Sequence, residues 1–137
     1  MGRIIAIDYG RKRVGIAVTD PLKIAANALA TVPVHEAMSF LKKYLSKENV
    51  EKIIVGYPIQ MNGQVSESMQ YITPFVNGLR KQFPETDVIF ADERFTSLLA
   101  QRTMLEAGLK KKDRQDKALV DRIAATIILQ TYLETNL

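Results

Sequence analysis

The sequence predicts an α/β protein, a mixed five-stranded sheet flanked by helices. Three observations predict it. Two apolar runs, Ile4-Ile5-Ala6-Ile7 and Val14-Gly15-Ile16-Ala17-Val18, stand on either side of a short polar turn, as in a hairpin. Two β-branched runs, Lys52–Gly56 and Asp87–Ala91, read as strands buried on both faces. Between and after them, apolar residues recur at helical spacing, and helix crossovers imply parallel strands. No internal repeat or domain boundary interrupts residues 1–137, a length that suits one domain with one core.

Taken in order, the first strand drives into Asp8, and Tyr9-Gly10-Arg11-Lys12-Arg13 turns the chain into the second. Thr19-Asp20-Pro21 reads as another turn, because Pro fixes φ and biases its predecessor away from helix. A third extended segment spans roughly Ala28 to Val34. Pro33 near its end marks an edge strand, since proline cannot donate to a ladder. Ala37, Phe40, Leu41, Tyr44 and Leu45 predict a helix over about 36–46. After the strand Lys52–Gly56, the stretch Tyr57–Gly63 is a loop. Val65, Met69, Ile72, Val76, Leu79 and Phe83 then predict a helix, with Pro74 expected to kink it or split it in two. The strand Asp87–Ala91 leads into Asp92-Glu93-Arg94. A helix from Thr96 or Ser97 to Gly108 follows, bounded by an N-cap and a C-cap residue. Lys110 to Lys117 lacks periodicity and reads as a loop, and a last helix runs from about Asp116 to Leu133.

Composition narrows the function classes. No apolar run approaches ~20 residues, which excludes a helical membrane span, and no signal-peptide pattern opens the chain. The absence of cysteine excludes disulfides and thiolate metal sites, and the expected location is a reducing cytoplasm. A net charge of +4 is compatible with a polyanionic partner without demanding one. Its distribution says more: cations cluster at Arg11-Lys12-Arg13 and again over Lys110–Arg114. The single histidine, His35, has no second His or Cys to join it, and reads as a surface or capping residue.

Three acidic positions could carry chemistry. Asp8 ends the first strand. Asp92 or Glu93 ends the last, and since adjacent strand residues face opposite ways, one of the two faces the site. Asp121 borders the apolar stripe of the final helix, where an acid is costly unless paired or bound to a cation. Its small neighbours Ala118, Ala124 and Ala125 let that helix approach the sheet closely. Carboxylates converging without Cys or His suit a hard cation such as Mg²⁺ or Mn²⁺. Two such ions promote phosphodiester cleavage by activating water and stabilising the leaving oxygen. The competing readings are structural: Asp8 starting a turn, Glu93 paired with Arg94 or Lys117, and Asp121 paired with Lys117 one helical turn away. A strand-acid-glycine turn, Asp8-x-Gly10, also cradles nucleotide phosphates in two-domain ATPases and sugar kinases, but 137 residues leave no room for the second domain.

Four segments carry a resemblance. IDYGRKRVGIAVTD (Ile7 to Asp20), VGYPIQMNG (Val55 to Gly63), DERFTS (Asp92 to Ser97) and KALVDRIAATIILQ (Lys117 to Gln130) resemble the YqgF (RuvX) family in order and spacing. Together they span nearly the whole chain. The resemblance implies a ribonuclease H-like fold and a metal-dependent nuclease of the bacterial cytoplasm that matures the 5′ end of 16S ribosomal RNA. The family also carries the label of Holliday junction resolvase, by analogy with RuvC. It puts the family's acids on Asp8, Glu93 and Asp121, as catalytic residues and as ligands to Mg²⁺ or Mn²⁺, with Asp92 as a supporting or alternative acid. Nucleic-acid contacts fall on Arg13, Arg94 and Lys117, with Thr96 and Ser97 orienting acids or phosphates. Arg11 and Lys12 would join Arg13 in holding the backbone, and Gly10 shapes their turn.

One departure matters. In ribonuclease H and RuvC-type folds the second acid ends the fourth strand, whereas that strand here ends at Gly56, with no acid until Glu67. The second acid then comes from the fifth strand, roughly 10 Å from the first. Glu93 reaches further than Asp92, and Gly56 puts no side chain in the way. The expected partner is nucleic acid, RNA favoured over DNA, in ribosomal precursor particles, with no membrane. Two alternatives stand beside it, a four-way DNA junction resolvase and a non-catalytic RNA-binding assembly factor. Tyr9 and Tyr57 are the aromatic candidates near the acids, for stacking or for the core.

Overall fold

The computed structural model describes residues 2–57, 69–92 and 117–135, with side chains at all of these except 57, 92, 117–122, 134 and 135. Among the described residues the strands are β1 (Arg3–Tyr9), β2 (Arg13–Thr19), β3 (Ala26–Pro33), β4 (Val50–Tyr57) and β5 (Asp87–Asp92). The helices are α1 (Ala37–Lys47), α2 (Met69–Gln82) and the C-terminal α3 (Lys117–Thr135). The strands form one sheet in the order β3-β2-β1-β4-β5. β1, β2 and β3 pair antiparallel, while β4 and β5 run parallel to β1 and to each other. The mixed five-stranded sheet is therefore present, with β3 as an edge carrying Pro33.

Alternation along the strands divides the core into two layers. Ile5, Ile7, Val14, Ile16, Ile53, Val55 and Val88 pack with Leu41 of α1 and with Ile72, Val76 and Leu79 of α2. Ile4, Ala6, Ala17 and Ile54 face the other way and pack with Ala125, Ile128, Leu129 and Leu133 of α3. Alanine recurs on the sheet side of this second layer, at Ala6, Ala17, Ala26 and Ala91, with Ala125 on the helix side. α3 rests on β1, β2 and β3. Its direction follows from one contact: the Lys52 ammonium, at the start of β4, donates to the Tyr132 hydroxyl at 2.6 Å. The C-terminal end of α3 thus sits where β1 and β4 begin, and its N-terminal end lies toward the end of the sheet where β1 finishes and β2 starts.

Two expectations need adjusting. β3 begins at Ala26 rather than Ala28, because Asp20 closes the preceding turn early. Its carboxylate accepts from the backbone N–H groups of Leu22 (3.1 Å), Ile24 (2.9 Å) and Ala25 (2.9 Å), releasing an extended chain from the next residue. α2 is not in two pieces. It continues from Met69 to Gln82 through Pro74, which is exposed while Ile72, Val76 and Leu79 on the inner face are buried. His35 lies exposed in a 3₁₀ turn, Val34–Glu36, between β3 and α1. The predicted helix from 96 to 108 and the loop at 110–116 lie outside the described residues.

Candidate active site

Asp8 is the sixth residue of β1 and stands opposite Gly15 of β2. The strand has a reason to place it there. Ile4 and Ala6 are buried against α3, and Asp8 continues their alternation at the point where burial gives way to a half-exposed end. On the other side, Ile7 pairs with Val55, so Asp8 is level with the buried Gly56, which in turn pairs with Ala91 of β5. A side chain from β5 reaching toward Asp8 crosses one intervening strand, and at that level the strand carries only glycine.

Position 92 has the parity of Val88 and Phe90, which pack in the α1/α2 layer, whereas Ile89 and Ala91 belong to the α3 layer with Asp8. Asp92 and Asp8 are therefore on opposite parities of one sheet. Glu93, Arg94, Thr96 and Ser97 lie outside the described residues. Lys117 and Asp121 are the first and fifth residues of α3. Position 121 precedes the buried Ala125 by one turn and Ile128 by two. Eleven residues separate it from Tyr132, about 16 Å of helix, while Ile4 and Asp8 are about 13 Å apart along β1. The helix backbone at 121 thus comes to the same end of the sheet as Asp8. Among the described residues no group of three or more His, Cys, Asp or Glu side chains is gathered as for a metal ion.

The basic turn divides its cations. Gly10 N–H donates to the Arg13 carbonyl at 2.9 Å, and a Cβ on Gly10 would stand 2.7 Å from that oxygen, so the turn needs glycine there. Arg13 is half-buried and shares the parity of Gly15 and Ala17, hence the face of Asp8. Lys12 is exposed, and its carbonyl accepts from Val34 N–H at 2.9 Å. Arg11 is drawn to the opposite layer, where its guanidinium lies over the ring of Tyr71 on α2, 4.7 Å from the centroid. Tyr9 settles into the core: its ring packs on Phe75 with centroids 4.6 Å apart, and burial raises its phenol pKa. The side chain of Tyr57 lies outside the described residues.

Sequence reasoning missed Tyr71, because it sits in a helix with nothing to mark it as more than an exposed position. A cavity of about 450 Å³ lies elsewhere, between the C-terminal ends of α1 and α2 and lined by Lys42, Ser46, Gln82 and Thr86. It opens where β4 begins, the far end of the sheet from Asp8. No described helix is long and apolar enough to cross a membrane.

Comparison with known proteins shows the family. A protein of Bacteroides thetaiotaomicron named "Putative pre-16S rRNA nuclease" is 66% identical over 136 residues, 99% of either chain. One of the same name from Porphyromonas gingivalis is 58% identical, over 98% of this chain and 97% of its own. Among solved structures, Thermus thermophilus RuvC in complex with Holliday junction substrate aligns with a TM-score of 0.59 at 16% identity, covering 99% of this chain and 97% of that one. The fowlpox virus resolvase, solved with Holliday junction DNA, aligns at 0.62 and 14% identity, over 98% and 99%. At such identities the likeness speaks to the fold, which is ribonuclease H-like. The model of the family RuvX, described as Holliday junction resolvase, matches residues 2–135. With relatives of this identity along its whole length, the chain belongs to the RuvX family.

Proposed function

We propose that this protein is a metal-dependent nuclease, one domain in extent, that cleaves phosphodiester bonds in maturing the 5′ end of precursor 16S ribosomal RNA. The observation that carries the reading is Asp8, half-buried at the end of a central strand on the face that α3 covers. Glu93 and Asp121 are its partners in the proposal. Position 92 has the parity opposite to Asp8, which favours Glu93 over Asp92 as the second acid.

The donor chemistry fits a hard cation. Asp8 offers carboxylate oxygen, no cysteine exists in the chain, and the one histidine is exposed in the 3₁₀ turn that follows β3. Asp8, Glu93 and Asp121 would hold Mg²⁺ or Mn²⁺, which when bound activates a water and stabilises the leaving oxygen. Arg13 holds a backbone phosphate on the face of Asp8. Arg94, Lys117, Thr96 and Ser97 contact phosphates or orient the acids, and Lys110–Arg114 adds charge to the same strand. Relatives named for ribosomal RNA favour RNA within ribosomal precursors, in the bacterial cytoplasm. The likeness to RuvC favours a second reading, resolution of four-way DNA junctions. That reading requires two copies cutting opposed strands.

The test is cleavage of precursor ribosomal RNA, generic single-stranded RNA and a four-way DNA junction, with Mg²⁺ or Mn²⁺. Wild type should cut the precursor, and Asp8→Asn should lose cleavage while keeping most of its binding. Full activity in Asp8→Asn would sink the mechanism. RNA binding without cleavage or Mn²⁺ binding in wild type would make the protein an assembly factor instead.

A further inference from the structure

Three large apolar side chains stand well exposed among the described residues: Leu22 (64%), Ile24 (74%) and Tyr71 (43%). Leu22 and Ile24 sit in the β2–β3 turn, at the far end of the sheet from Asp8. Tyr71 alone is at the Asp8 end, one turn from Phe75 on α2, and it is the one aromatic of the three. Its ring is also prearranged. Tyr9 and Arg11, two residues apart at the end of β1, grip Phe75 and Tyr71, four residues apart on α2. The strand end and the helix thus hold the Tyr71 ring and the Arg11 guanidinium against each other.

From this we infer that Tyr71 and Arg11 form a stacking platform for an unpaired nucleobase of the substrate strand. The inference rests on the nuclease reading and adds to it a contact to a base rather than to the backbone. Every base has a π-face, and aromatic rings and guanidinium planes are the surfaces on which unstacked bases settle. Three residues span at most roughly 10 Å of chain, so the platform stands close to Asp8. Its layer is the opposite one, that of α2. A strand whose phosphate lies by Asp8 and Arg13 turns a neighbouring base over the edge of the sheet onto Tyr71. A base can turn this way only if it is unpaired, so the platform selects single-stranded or frayed segments over continuous duplex. Arg11, spent on Tyr71, contributes to the stack more than to the phosphate beside Asp8.

The test uses the full-length Asp8→Asn protein, which binds without cutting, and a short strand carrying 2-aminopurine at successive positions, made once as RNA and once as DNA. Saturating protein should alter the fluorescence at one position, by stacking, and leave the others little changed. No position-specific change in either strand would overturn the proposal without recourse to any Tyr71 variant. Tyr71→Leu keeps an apolar side chain without a π-face. It should weaken single-strand binding roughly 5- to 100-fold, with duplex RNA binding unchanged, and Tyr71→Phe should restore the affinity. Equal loss for single strand and duplex would show that Tyr71 only steadies the turn, and unaltered single-strand affinity would likewise overturn the platform. The stronger of the RNA and DNA arms names the sugar. If Asp8→Asn binds no nucleic acid at all, the nuclease reading falls and takes the platform with it.

Discussion

Thr19 is the one fully buried polar side chain among the described residues, and it shows how closely single groups are tied to the ends of the sheet. Its hydroxyl accepts from Ile4 N–H at 2.9 Å, and its carbonyl accepts from the Arg3 guanidinium at 3.0 Å. Thr19→Val keeps the shape but strands the Ile4 N–H in the core, so it should cost roughly 1–3 kcal/mol in denaturant unfolding. Gly10→Ala forces the hairpin turn open, because a methyl cannot stand 2.7 Å from the Arg13 carbonyl. Moving that turn moves Arg11 and Arg13, and the expected outcome is weaker nucleic-acid binding by at least severalfold, read by titration. Asp8 itself was legible from the sequence as an acid closing an apolar strand. Tyr71 was not, since its partner Arg11 is sixty residues away and only the docking of α2 brings them together.

At the scale of elements, periodicity identified β1, β2, β4, β5 and the buried stripe of α2, because each has one face or both pressed into apolar surroundings. Tertiary context decided what propensity did not. The start of β3 depended on a carboxylate six residues earlier, and the continuity of α2 depended on burial outweighing a lost hydrogen bond at Pro74. The Asp20 turn carries a pH dependence with a defined sign. Hydrogen bonds from the backbone, that of Ala25 foremost, lower the Asp20 pKa below its ordinary 3.8. The turn's stabilisation is therefore present above that ordinary value and is lost as pH falls through the lowered one. Thermal midpoints of wild type and Asp20→Asn should differ at neutral pH and converge in strong acid. The α3 anchor behaves oppositely. The Tyr132 hydroxyl raises the Lys52 pKa above 10.5, so that contact holds at neutral pH and fades only in strong alkali. Tyr132→Phe should destabilise by about 0.5–1 kcal/mol at neutral pH, the low range for a hydrogen bond because Lys52 stays partly exposed.

Over the whole molecule, the sheet sets a polarity. Asp8, Gly56, the basic turn, Tyr71 and the start of α3 gather where β1 and β4 end. The Asp20 turn, the Lys52 anchor and the 450 Å³ cavity occupy the other end. Binding of RNA at the first end should weaken steeply with salt, with a slope that falls by about one for each phosphate contact removed, as Arg13→Ala would test. The fold's order and strand directions were readable because crossovers and hairpins leave few topologies for this series of elements. The meeting of α3 with the β1–β3 meander was readable only as a row of alanines. The direction of the helix, and with it the approach of position 121 toward Asp8, needed the Lys52–Tyr132 contact.

That meeting has a consequence for how the protein comes into being. The face formed by Ile4, Ala6 and Ala17 belongs to the first strands made, and its cover, Ala125 to Leu133, is more than a hundred residues downstream. At ordinary rates of synthesis that face waits roughly 5–20 s for its lid. A half-made chain therefore offers chaperones an uncovered apolar surface. It also lacks position 121, so the centre proposed above is incomplete until the last helix has been made.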